Sequence, residues 1–119
     1  SEMSPQELLE RLATLPAVER IAHSNPPTQP IRRVALCGGS GGGHEFIGEA
    51  LRSGAEVYIT GEAKYNDYLD VQGHLWLITL GHFESEYCTR TMLYDALSDK
   101  YRNFVVHTSD ADTNPIHYF

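Results

Sequence analysis

From Ile31 onward, short apolar runs alternate with segments of helical period, and the connections between them are only a few residues long. Parallel strands cannot be joined by a tight hairpin and need a crossover, which a helix supplies. The alternation therefore restricts the chain to an α/β layout, a mainly parallel sheet with flanking helices. The spacing predicts strands over 31–37, 56–60, 74–80 and 103–108, and helices over about 44–53, 64–71 and 85–101. The 44–53 helix places Phe46, Ile47, Ala50 and Leu51 on one face, with Gly54 as its cap. The 85–101 helix, the longest, offers Cys88, Met92, Tyr94, Ala96 and Leu97 for a buried side.

Ahead of this unit, Ser4-Pro5-Gln6-Glu7 predicts a short helix. Ser4 caps it, Pro5 suits its first position, Glu7 completes a capping box, and Leu8, Leu9 and Leu12 form an apolar face that Pro16 ends. Residues 18–23 read as a short edge strand. Pro26, Pro27 and Pro30 then exclude regular pairing. The tail, 110–119, reads as irregular. Two segments result: 1–17, an N-terminal helix, and 18–119, one α/β domain.

The 119 residues suffice for one buried core. Nine basic against sixteen acidic side chains leave a net charge of −7, and Arg32-Arg33 is the only basic cluster. That balance argues against a nucleic-acid role for the chain alone, because phosphate backbones are held by clustered Lys and Arg. Every apolar run is far shorter than the ~20 residues of a membrane span. Ser1-Glu2-Met3-Ser4-Pro5 has neither the basic end nor the apolar stretch of a signal peptide. Cys37 and Cys88 make no disulfide framework, so a reduced, cytoplasmic setting is expected.

Three stretches carry candidate chemistry, all where a strand gives way to a helix. Gly81-His82-Phe83-Glu84-Ser85-Glu86 places an imidazole and a carboxylate four residues apart, beyond the end of a buried strand. In open α/β sheets that rim is where ligands bind, and both are ligand types for borderline divalent metals. Two ligands alone do not make a metal site, and each residue also fits a plain first-turn role. The glycine-rich stretch from Gly38 to Gly43 lies where phosphates dock on backbone amides. His44 replaces the third glycine of a dinucleotide pattern, however, and no Gly-Lys-Ser/Thr follows. A tight turn admitting close backbone approach is the better reading. In Thr60-Gly61-Glu62-Ala63-Lys64-Tyr65-Asn66-Asp67, Glu62, Lys64 and Asp67 could face a shared cleft, or simply solvate a helix start.

Several segments together resemble the C-terminal half of the Nif-three-like proteins, the family described as GTP cyclohydrolase 1 type 2 homologues with a dinuclear metal centre. They are Ile31-Arg32-Arg33-Val34-Ala35-Leu36-Cys37-Gly38-Gly39-Ser40-Gly41, Val57-Tyr58-Ile59-Thr60-Gly61-Glu62-Ala63-Lys64-Tyr65, Gly81-His82-Phe83-Glu84-Ser85-Glu86 and Thr113-Asn114-Pro115-Ile116. The resemblance covers roughly residues 18–119. It implies that His82 and Glu86 are ligands of a centre of two divalent ions, zinc, iron or manganese, and that Glu62, Lys64 and Tyr65 contact substrate. It also implies metal-dependent hydrolysis by the full-length protein, or else a non-catalytic metal scaffold or regulatory ring, in a homohexamer. The family's other ligands, a His-His-Pro motif and an Asp, belong to the N-terminal half, and no His-His pair occurs here. Asn66 also stands where relatives carry His. The expectation is an excised C-terminal domain, with Ser1-Glu2-Met3 including a cloning remnant. Such a fragment would be inactive alone and bind metal weakly or not at all, with its partner the N-terminal half of the same protein.

Overall fold

The crossovers predicted from the sequence build a parallel core. A computed structural model describes residues 2–119. Its elements are α1 (Pro5–Ala13), β1 (Ala22–His23), β2 (Val34–Cys37), α2 (His44–Arg52), β3 (Val57–Thr60), α3 (Tyr65–Asp70), β4 (Trp76–Thr79), α4 (His82–Glu86) and α5 (Thr89–Lys100). Among the described residues four strands form one sheet in the order β1-β4-β3-β2. The pairs β2–β3 and β3–β4 are parallel, and β1 closes the β4 edge antiparallel, Ala22 opposite Thr79. The chain divides into two compact units, Ser1–Glu86 and Tyr87–Phe119.

Every residue of β3 and β4 is buried, as expected of central parallel strands covered on both faces. Alternation sorts their side chains into two layers. Val57, Ile59, Trp76 and Ile78 pack with Leu8 and Leu12 of α1 and with Ile31 and Leu80. Tyr58 and Leu77 pack on the opposite side with Ile47 and Ala50 of α2 and with Ala55, Val71 and Leu75. Helix α1 thus belongs to the core of the first unit. Its start is built as its sequence dictates: the Glu7 amide donates to Ser4 Oγ at 3.2 Å, and the Ser4 amide to Glu7 Oε2 at 2.8 Å. Burying Leu8 and Leu12 contributes roughly 1.5–3 kcal/mol each. Phe46 and Leu51 stay partly exposed, so the buried stripe of α2 is narrower than its sequence suggests.

The first predicted strand is shorter than its apolar run. Ile31 pairs instead with Met3, exchanging both backbone bonds at 3.0 and 2.8 Å. The amides of Arg32 and Arg33 donate to one oxygen of Glu56, at 2.6 and 2.9 Å. That carboxylate takes the bonds a neighbouring strand would have taken, and regular pairing starts only at Val34.

Two expectations fail in the C-terminal part of the chain. The single helix over 85–101 is divided: α4 ends at Glu86 and α5 starts at Thr89. Helix α5 has no buried residue, and Cys88, Met92, Tyr94, Ala96 and Leu97 are all exposed. Its apolar residues run consecutively through Met92, Leu93 and Tyr94, so they wrap around the helix instead of forming a stripe. Residues 103–108 form no strand; a turn bonds Phe104 to Tyr101 at 3.0 Å, and Phe104 and Val105 are each 73% exposed. β-propensity without a neighbouring strand gives no ladder. Arg90 ties α5 to the irregular tail through the Ser109 carbonyl at 2.8 Å.

Candidate functional site

Because β2, β3 and β4 run the same way, their C-terminal exits share one rim. Backbone pairing continues past the strand ends: Glu62 N–H donates to Gly39 O at 3.0 Å and Gly81 N–H to Gly61 O at 2.9 Å. Gly61 sits between its neighbours so closely that a Cβ there would meet Gly39 O, lie 2.5 Å from Ser85 Oγ and 2.9 Å from Gly81 O. Ser85 fastens α4 to this junction, accepting from Gly39 N–H at 2.8 Å while donating to the His82 carbonyl at 2.9 Å.

Helix α4 carries the two predicted ligands. His82 opens it and Glu86 follows one turn later, which puts His82 Nε2 3.4 Å from Glu86 Oε2. From the end of β3, Glu62 Oε1 reaches the other ring nitrogen, Nδ1, at 3.0 Å. All three side chains are about half exposed. Gly39, at φ +66°, faces the ligand pair; a Cβ on it would run into Glu86 Oε1 and come within 3.3 Å of His82 Nε2. The space beside the imidazole and carboxylate is therefore kept open by a residue without a side chain.

That geometry fits a metal ion in part. His82 Nε2 and a Glu86 oxygen share one side and match the donor preferences of borderline divalent ions. Glu62 lies on the far side of the ring. Among the described residues, no group of three or more His, Cys, Asp and Glu side chains is arranged to hold a metal ion. The chain supplies two convergent donors, fewer than the usual four of a zinc site.

The other candidates fall nearby with different jobs. Lys64 and Tyr65 are exposed at the start of α3. Asp67 is buried, and its Oδ2 accepts from Lys64 N–H at 2.8 Å, so it caps that helix. The glycine-rich loop is a close-packed turn. Gly39 N–H goes to Ser85, and Gly41 N–H donates to Thr60 Oγ1 at 3.0 Å. Tyr58 donates its hydroxyl to Gly41 O at 2.7 Å. Burial pushes this phenol up to about 12, reinforced by the neighbouring Cys37. Sequence reasoning missed Tyr58, Thr60 and Ser85 as the residues that hold the rim; a lone hydroxyl in an apolar run gives no sign of which loop it will meet.

The sequence profile of the Duf34/NIF3 (NGG1p interacting factor 3) family matches residues 1–115. The chain belongs to the Duf34/NIF3 family. Among its relatives in that family is a Staphylococcus aureus (strain MSSA476) protein called GTP cyclohydrolase 1 type 2 homolog, 36% identical over 109 residues. The match takes in 87% of this chain and 28% of that protein. A Staphylococcus epidermidis protein of the same name is 33% identical over 106 residues, 85% of this chain and 28% of its own length. This Duf34/NIF3 chain thus spans under a third of the curated relatives it matches. In fold it is similar to the crystal structure of Staphylococcus aureus protein SA1388, with a TM-score of 0.73 at 24% identity, over all of this chain and 39% of that one. A Bacillus cereus protein related to NIF3 is likewise similar, with a TM-score of 0.70 at 24% identity over all of this chain and 34% of that one. Among the described residues of this Duf34/NIF3 chain, no helix is long and apolar enough to cross a membrane.

Proposed function

We propose that the chain is a C-terminal portion of a cytoplasmic, oligomeric Duf34/NIF3 protein in which His82 and Glu86 supply part of a two-metal centre. The observation that carries this reading is the His82 Nε2–Glu86 Oε2 approach of 3.4 Å on one turn of α4, beside Gly39, whose missing side chain leaves room there. The remaining ligands come from the N-terminal half of the same protein. Held by His82, Glu86 and those further ligands, two divalent ions (zinc, iron or manganese) would supply an activated water and a Lewis acid, which suits hydrolysis at an ester or ring carbon. The relatives' name, GTP cyclohydrolase 1 type 2 homolog, directs the first substrate trial to GTP. His82 and Glu86 bind, the glycine rim holds α4 in place, and Glu62, Lys64 and Tyr65 stand on the same rim where a substrate would approach.

The test is elemental analysis and turnover of the full-length protein. About two divalent ions per subunit are expected, falling sharply in His82→Ala and Glu86→Ala; unchanged metal in both variants would sink the proposal. For the 119-residue chain alone, dialysis should leave substoichiometric metal, since two protein ligands leave most positions to ordered water. Tight equimolar zinc in the isolated chain would show that the ligand set is wrong. Full metal loading without turnover of GTP or related ring and ester substrates would favour a metal-carrying scaffold over a hydrolase.

A further inference from the structure

We propose that Glu62 is the positioning residue for His82, gripping the imidazole at Nδ1 so that Nε2 presents its lone pair on the side of Glu86. The consequence for metal binding rests on the reading above; the geometry does not. Ionised carboxylates only accept hydrogen bonds, and they flank both ring nitrogens: Glu62 Oε1 lies 3.0 Å from Nδ1 and Glu86 Oε2 3.4 Å from Nε2. The shorter contact, to Glu62, has hydrogen-bond distance and geometry, so Nδ1 is the nitrogen that carries hydrogen. Neutral imidazole has a single N–H. Fixing it at Nδ1 leaves Nε2 as the acceptor, the form in which histidine ligates a metal. An unconstrained histidine side chain prefers the opposite tautomer, with hydrogen on Nε2. The contact with Glu62 therefore changes what the residue can do.

Glu62 is itself held in place. Its amide is bonded to Gly39 O at 3.0 Å, and Gly61 before it is bonded to Gly81 N–H, immediately ahead of His82, at 2.9 Å. The parallel register that sets Thr60 opposite Thr79 carries the two residues to the same point on the rim, although twenty positions separate them in sequence. A stability role explains the pair poorly, because half-exposed ion pairs contribute little. Orientation explains it better. Removing the carboxylate behind a ligating histidine typically costs roughly 10–100-fold in metal affinity.

The experiment has two readouts. In the 119-residue chain, long-range ¹H–¹⁵N spectra at about pH 8.5, well above the ordinary imidazole range near ~6.5, report the His82 tautomer, with His82→Ala identifying the signals. The wild type should be Nδ1–H. Glu62→Ala should revert to Nε2–H, and Glu62→Gln, whose amide oxygen accepts the same hydrogen, should keep Nδ1–H. In the full-length protein, zinc titrated against a chelating indicator should bind roughly 10–100-fold more weakly to Glu62→Ala, with Glu62→Gln recovering most of the loss. An Nε2–H wild type, or a tautomer unchanged in Glu62→Ala, overturns the proposal. So does Glu62→Ala losing zinc as completely as His82→Ala, because Glu62 would then be a ligand. If zinc binds equally with and without His82 and Glu86, the metal-site reading falls, and the tautomer still decides what Glu62 does.

Discussion

Placing a methyl group on Gly61 should cost more than placing one on Gly73, although Gly73 is the residue with the left-handed backbone. Gly73 has φ +77° and nothing within 4 Å of a built Cβ, so alanine there incurs only backbone strain, about 1–2 kcal/mol. Gly61 carries no such strain, but its Cβ would meet the Gly39 carbonyl, lie 2.5 Å from Ser85 Oγ and 2.9 Å from the Gly81 carbonyl. Two of those three atoms are backbone and cannot rotate aside. Crowding of this kind typically costs roughly 1–3 kcal/mol. Forcing the rim apart also stretches the bonds from Glu62 N to Gly39 O and from Gly81 N to Gly61 O, 3.0 and 2.9 Å, at about 0.5–1.5 kcal/mol each. A total of roughly 2–6 kcal/mol is expected for Gly61→Ala. Urea unfolding followed by fluorescence of Trp76, the sole tryptophan and 2% exposed, reads both variants. A Gly61→Ala loss no larger than that of Gly73→Ala would refute the idea that three strand exits are wedged at this residue.

Tyr58→Phe should destabilise by roughly 1–3 kcal/mol by leaving the buried Gly41 carbonyl without its 2.7 Å donor, measurable in the same urea assay. The same phenol sets an alkaline limit. Its folded value is pushed up to about 12 from the ordinary 10.0, chiefly by burial, so its contribution is present below pH 10 and disappears as pH rises toward 12. Urea midpoints across that window should fall more steeply for wild type than for Tyr58→Phe; parallel curves would contradict this. At the acid end, backbone bonds from Arg32 and Arg33 hold the Glu56 carboxyl below its ordinary 4.5. Its contribution is present above that ordinary value and is lost as pH falls through the depressed one. Glu56→Gln should flatten the acid limb of the stability profile, and an unchanged limb would show that the Glu56 clamp adds nothing.

What could be read from the sequence was what is decided within a turn or a strand. The Ser4–Glu7 box, the apolar period of α2 and the buried runs of β3 and β4 are local, and each formed where expected, within a few residues. The His82–Glu86 approach is also local in origin, but the helix that makes it starts at His82, three residues before the start expected from the sequence. The misreadings share a different cause. Residues 31–33 and 103–108 have strand-like sequences, but a strand needs a neighbour. Glu56 bonds the amides of Arg32 and Arg33, and among the described residues 103–108 pair with no strand. In α5 the apolar content is visible in the sequence, but Met92, Leu93 and Tyr94 are consecutive, so they spread around the helix and leave no single face to bury.

The rim lies beyond local reading for a definite reason. Whether Glu62 meets His82 depends on which strands are neighbours and in what register, and both follow from long-range pairing. A shift of β3 by one residue against β4 would exchange the side chains of its two buried layers and carry Glu62 away from Nδ1. The register is fixed by the two apolar layers, Val57, Ile59, Trp76 and Ile78 toward α1 and Tyr58 and Leu77 toward α2. Core packing thereby sets imidazole geometry at the sheet's end. It follows that truncating a core residue at the β3–β4 seam, such as Ile78→Ala, should disturb the His82 tautomer before unfolding the chain, whereas an equal loss of stability at Leu12 of α1 should not. Equal effects on the tautomer at matched stability would mean that the Glu62–His82 contact owes nothing to the register beneath it.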